Sequence, residues 1–127
     1  ISVIDSEPDV LTSAGPVEIT VTWADSSKDF DIFLVAGDQD LSGTVIDSSQ
    51  GITTTESVIL PSNEDGVFSI YMYEYFFDYP GEYDISFTFP DGKVETFLGA
   101  KIQADSFTFT MLKAPIGSQV GYTLTQL

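Results

Sequence analysis

Residues 28–43, KDFDIFLVAGDQDLSG, place Asp29 and Asp31 before a short apolar run and Asp38 and Asp40 after it. Carboxylates at alternate positions of an extended segment point to one side. Oxygen-only ligand sets rich in carboxylate select calcium, which accepts about six to eight oxygens in irregular geometry. The run DQDLSG also matches the first, third, fifth and sixth positions of an EF-hand loop, through Asp38, Asp40, Ser42 and Gly43. The twelfth position is Ser49 instead of a bidentate glutamate and no helix flanks the run, so it is not an EF-hand. An Asp-rich turn that wraps a cation is the reading that survives. Its candidate calcium ligands are Asp29, Asp31, Asp38, Asp40 and Ser42, on the condition that the loop after the strand folds back. A solvated acidic rim accounts for the same residues without any ion.

A second group sits in VFSIYMYEYFFDY, residues 67–79, where alternation sends Phe68, Ile70 and Met72 one way and Tyr71, Tyr73 and Tyr75 the other. The purely apolar set is the better core face, which leaves three tyrosines on the opposite face as a candidate ligand-binding row. Flat rings give contact area at small entropy cost, so such rows stack on sugars or grip extended peptides. Cover by the 36–55 segment or by the tail would instead make the tyrosines a satellite cluster. Glu74 falls on the apolar side and marks a bulge or strand end. Phe76, Phe77 and Tyr79 read as turn-packing residues.

The totals narrow the chemistry. In 127 residues there are 20 acidic side chains against four lysines and no arginine, a formal net charge of −16. Phosphate neutralisation needs a basic face that four scattered lysines do not make, so nucleic acid is excluded as a ligand, and an anionic membrane surface is disfavoured for the same reason. Cysteine and histidine are both absent. That removes thiol nucleophiles, the usual zinc sites and histidine general bases, and weighs against an enzyme. No apolar run is long enough for a membrane-spanning helix, so no membrane insertion is expected.

The elements that must position these residues are strands. VEITVTW puts Val17, Ile19, Val21 and Trp23 on one face, and EYDISFTF does the same for Tyr83, Ile85, Phe87 and Phe89. QVGYTLTQL aligns Val120, Tyr122 and Leu124. Further strands are expected at 30–35, 56–60, 67–77, 93–98 and 106–112, separated by turn residues at 61–66, 79–81, 90–92 and 115–117. FPDGK reads as a tight hairpin. The expected fold is an all-β antiparallel β-sandwich, immunoglobulin-like or jelly-roll, of about eight strands and essentially no helix, with Trp23, Ile32, Leu34, Ile70, Ile85 and Phe87 in its core. Residues 36–55 form a long, weakly patterned stretch of the kind usually used for function. Residues 1–14 are expected to be an N-terminal linker or edge strand, ahead of a single sandwich domain over 15–127.

The strand ending in Trp23, the D-x-D-apolar-x-apolar strand carrying Asp29, Asp31, Ile32 and Leu34, and the returning strand with Gly66, Phe68, Ile70 and Tyr71 resemble the secreted bacterial pre-peptidase C-terminal type of β-sandwich over residues 17–90. Members of that family are accessory modules of exported enzymes, often calcium-binding, and some bind insoluble protein or polysaccharide. The resemblance implies that Asp29 and Asp31 are ligands at the mouth of a strand, with Asp38 and Asp40 in support.

The leading functional reading is a non-catalytic, calcium-stabilised module of a secreted or cell-surface bacterial protein, part of a longer multidomain chain, binding extracellular polysaccharide or protein. The alternative is a purely structural immunoglobulin-like spacer or surface-fibre subunit with no small-molecule ligand, its acidity serving only to keep it dispersed. A carboxylate-pair hydrolase ranks last, because a compact sandwich leaves little room for a cleft between two carboxylates.

Overall fold

The computed structural model describes residues 7–127. The described residues form ten strands and no helix: β1 Val10–Thr12, β2 Val17–Thr22, β3 Phe30–Ala36, β4 Val45–Ser49, β5 Thr55–Leu60, β6 Gly66–Glu74, β7 Gly81–Thr88, β8 Val94–Ile102, β9 Ser106–Ile116 and β10 Gln119–Gln126. They form two antiparallel sheets packed as a sandwich, one ordered β1-β10-β9-β6-β3-β4 and the other β5-β2-β7-β8. Only β3–β4, β7–β8 and β9–β10 are hairpins; every other connection crosses from one sheet to the other.

Eight of the ten strands coincide with segments expected from the sequence. The two extra ones are β1 and β4, both edge strands. β1 is three residues long, and β4 is the half-exposed run VIDSS, which has no apolar alternation to reveal it. The stretch 36–55 is therefore not all loop. Its middle extends the larger sheet by pairing with β3. At the N-terminus Val10–Thr12 supply the expected edge strand, paired with β10, while residues 1–6 lie outside the described part of the chain.

Alternation is carried through into burial. In β2 the residues Val17, Ile19 and Val21 are fully covered, and in β7 the inward set Tyr83, Ile85 and Phe87 is covered likewise. All six residues expected in the core are buried. Phe87 of one sheet meets Phe109 of the other with ring centroids 5.7 Å apart, and Trp23 meets Phe30 edge-on at 5.0 Å. Each such side chain contributes about 1.5–3 kcal/mol relative to its exposed state. The FPDGK hairpin forms as expected, with Phe89 N–H donating to Lys93 C=O at 2.8 Å. Gly117, at φ 63°, opens the turn between β9 and β10, a left-handed conformation that glycine adopts without a Cβ clash.

One end of the sandwich gathers three connections: 23–29 between β2 and β3, 50–54 between β4 and β5, and 75–80 between β6 and β7. They are tied together by Trp23 N–H donating to Thr54 C=O at 3.1 Å, Trp23 Nε1 donating to Lys28 C=O at 3.1 Å and Tyr75 N–H donating to Asp29 C=O at 2.7 Å. Gly81 closes the same end. A Cβ there would lie 2.3 Å from Phe30 Cζ, so only glycine lets β7 begin against that ring.

Candidate metal centre and aromatic face

Asp29 and Asp31 flank Phe30, whose ring enters the core, so extended geometry turns both carboxylates away from it together. Glu56, near the start of β5 in the other sheet, supplies a third carboxylate. Oxygens of the three lie within 4.8 Å of one another. Asp31 and Glu56 are each only 4% exposed. Glu56 is fixed from behind by the Ser49 hydroxyl, which donates to Oε2, and by Gly51 N–H, which donates to Oε1 at 2.6 Å. Asp29 Oδ1 is buried and accepts no hydrogen bond.

A fourth acid, Glu74, stands beside them with no exposed surface. Its carboxylate accepts N–H groups of Phe76, Asp78 and Asp29. These donors satisfy Glu74 where it is, capping the 75–78 turn, and explain a carboxylate at the core-facing end of β6. It is a strand end, one of the two alternatives the pattern allowed.

Among the described residues nothing cationic balances this group. The four lysines pair elsewhere: Lys28 with Asp78 at 2.9 Å, Lys93 with Asp91 at 3.5 Å, Lys101 with Glu82 at 3.8 Å and Lys113 with Asp65 at 3.5 Å. Arginine and histidine are absent from the sequence. Burial, followed by the charges of Glu56 and Glu74, pushes the Asp29 carboxyl above its ordinary range. Burial also raises Asp31; the Tyr73 hydroxyl opposes that shift, and Asp29, Glu56 and Glu74 reinforce it. Buried carboxylates in proteins are paired or coordinate metals, and carboxylate oxygens are the kind of donor that hard cations take. The donor set fits calcium better than magnesium, whose stricter octahedral demand suits an irregular, mixed-sheet set less well.

The other expected ligands are not part of this cluster. Asp38, Asp40 and Ser42 lie past the far end of β3, and six steps of a seven-residue strand at about 3.3 Å each separate its ends by roughly 20 Å. The loop does not fold back along the strand. It closes locally, with Asp40 Oδ1 accepting Ser42 N–H at 2.9 Å and the Ser42 hydroxyl at 2.7 Å, which hold the Asp40 carboxyl below its ordinary range. Gly37 N–H donates to Val67 C=O and Gln39 N–H to the Ser69 hydroxyl, both at 2.8 Å, pinning this turn to the end of β6. Asp40 and Ser42 are thus an exposed Asx turn. Glu56 is the cluster member that the expected set lacked. Its one signal in the sequence is that TESVIL puts an acid in register with the core residues Val58 and Leu60.

The tyrosine row lies on the outer face of the larger sheet, as alternation requires, but its members differ. Tyr71 and Tyr73 are half-buried among aromatic neighbours: Tyr73 stacks on Phe33 at 5.8 Å and Tyr71 meets Phe107 edge-on at 5.0 Å. Tyr75 falls one residue beyond β6 and is exposed, with its ring against Phe76. Segment 36–55 therefore borders the row without burying it. Phe76 and Phe77 do not pack the turn; they are 61% and 69% exposed. Tyr79 does pack, its hydroxyl accepting Glu74 N–H at 3.0 Å and donating to Asp105. No protein-family model, no curated protein and no solved structure matches the chain.

Proposed function

We propose that the protein is a non-catalytic, calcium-stabilised β-sandwich module that presents its aromatic face to an extracellular polysaccharide or protein, as part of a secreted or cell-surface chain. The observation that carries the calcium reading is the convergence of Asp29, Asp31 and Glu56, two of them almost fully buried, with the fully buried Asp29 Oδ1 lacking any donor. That the four lysines pair with other acids supports a bound cation as the species that offsets this charge. The binding reading is supported by the row Tyr71, Tyr73 and Tyr75 beside that cluster, with Tyr71 and Tyr73 partly exposed and Tyr75 exposed on the outer face. The motif resemblance of residues 17–90 to the pre-peptidase C-terminal type points the same way.

Thermal melting in calcium, in magnesium and in chelator tests it. An ion that binds only the folded chain stabilises by about 2.7 kcal/mol at a hundredfold excess over its Kd. Calcium is expected to raise the melting temperature, magnesium to raise it less. Identical melts in calcium and chelator would return the cluster to an acidic surface feature and favour the structural-spacer alternative.

A further inference from the structure

Asp29 and Asp31 line a depression of about 470 Å³ whose other walls include Gln50, Tyr73, Tyr75 and Phe76. Across Tyr73 lies a second, more apolar groove of about 270 Å³, bounded by Phe33, Leu41, Tyr71 and Phe107. Tyr73 belongs to both. The acidic cluster and the aromatic face are therefore two halves of one continuous surface.

We propose that this surface binds a neutral saccharide through calcium: two adjacent hydroxyls of one sugar, whose ring stands against Tyr75 in the wall of the depression, complete the coordination of an ion held by Asp29, Asp31 and Glu56, and a neighbouring sugar ring lies on Tyr71, Tyr73 and Phe107. The proposal rests on the calcium reading above and adds the chemical class of the ligand.

Three considerations select that class. Calcium takes about six to eight oxygens, and each Glu56 oxygen already accepts a hydrogen bond from Ser49 or Gly51, so positions are left for oxygen donors on the side of the depression. Secondly, three carboxylates exceed the charge of a divalent ion, Glu74 deepens the excess, and the whole chain carries −16. A further anionic group is repelled there, which rejects uronates, phosphorylated headgroups and acidic peptides and favours uncharged hydroxyls. Thirdly, the flanking walls carry aromatic rings, three of them phenols, beside aliphatic residues such as Ile52 and Leu41, with one amide, Gln50, which donates to the Tyr73 hydroxyl at 3.4 Å. Ring faces match the C–H face of a pyranose, and an amide and phenols match its hydroxyls.

The test combines two titrations on the whole chain. Calcium alone is titrated first, which reports on the metal reading by itself. Manno-, xylo- and gluco-oligosaccharides are then titrated in about 1 mM calcium and in chelator, with polygalacturonate and phosphatidylserine vesicles as anionic comparators. The expected result is binding of at least one neutral series in calcium, weakened tenfold or more in chelator, with Tyr75→Ala keeping calcium affinity while losing tenfold or more in saccharide affinity. Calcium binding with none of the three series bound overturns the proposal and leaves the metal reading standing. Saccharide binding that is equal in chelator overturns the calcium bridge, and preference for polygalacturonate or vesicles overturns the neutral-ligand assignment. Absence of calcium binding removes both readings.

Discussion

Asp31 on β3 and Tyr73 on β6 are register partners across the ladder of the larger sheet, and that pairing joins the acidic cluster to the aromatic row. Asp31 is drawn into the cluster with Asp29 and Glu56, while Tyr73 stacks on Phe33 and lines both depressions of the outer face. A change in the charge of one partner is therefore felt by the other: the Asp31 carboxylate helps hold the Tyr73 phenol above its ordinary pKa, after burial as the larger cause.

Neutralising that carboxylate separates the two roles. Asp31→Asn removes a buried like charge, so in chelator the variant is expected to be at least as stable as the parent, by up to about 1 kcal/mol. In calcium it is expected to lose the stabilisation the parent gains. Chemical denaturation in both media measures this, and an unchanged calcium response in the variant would remove Asp31 from the site.

The pH dependence has a definite sign. Asp29 and Asp31 have folded-state pKa values raised above their unfolded ones, so without metal the folded chain binds more protons than the unfolded chain in that window. The stability from these two groups is present below the ordinary carboxylate pKa and is lost as pH rises through the raised folded values. Chelated protein is expected to gain stability from them on mild acidification. With calcium the order reverses, because the ion needs both carboxylates ionised. Urea midpoints across pH 4–7, with and without calcium, read the two slopes.

Glu56→Gln and Asp40→Asn form a contrasting pair. The first is expected to weaken calcium binding about as strongly as Asp31→Asn. The second lies in an Asx turn at the opposite end of β3 and is expected to leave the affinity unchanged. Equal losses in both would mean that the 37–44 turn reaches the site after all.

Along the tyrosine row, stability and binding should divide by position. Tyr71→Ala opens the contact with Phe107 and is expected to cost about 1–2 kcal/mol, below the 3–5 typical of a fully buried aromatic ring. Tyr75→Ala is expected to cost under about 0.5 kcal/mol, since its ring is 57% exposed. Melting curves of the two variants, compared side by side, settle the ordering.

Gly81→Ala should be among the most damaging single changes at this end of the sandwich. The added Cβ meets the Phe30 ring, and Phe30 is the residue between the two aspartates. Overpacking of this kind costs about 1–3 kcal/mol. Loss of calcium affinity together with stability is expected, and retention of both would show that the ring can move aside.

The fold was legible because alternation is strong wherever a strand buries one face. β2, β6, β7 and β10 each show it, and the core residues named from it are all covered. β4 escaped because an edge strand that packs against the core only partly, through Ile46, carries no such pattern. Of the candidate metal centre, Asp29 and Asp31 were legible since their spacing is local. Glu56 was not, because its approach depends on where β5 lies relative to β3, a relation between sheets that no spacing encodes. The same limit explains Asp38 and Asp40, which resemble ligands in sequence and lie a strand's length away. Phe33 and Phe107 were read as strand residues, and only the pairing of β3 and β9 on either side of β6 makes them part of the aromatic face.

The central claim is that Asp29, Asp31 and Glu56 hold calcium, and isothermal titration of calcium into chelator-treated protein tests it most directly. A single site per chain, with affinity reduced at least tenfold in Asp31→Asn and in Glu56→Gln and unchanged in Asp40→Asn, is the predicted result. No saturable heat at millimolar calcium, or a site that survives both substitutions, would contradict it.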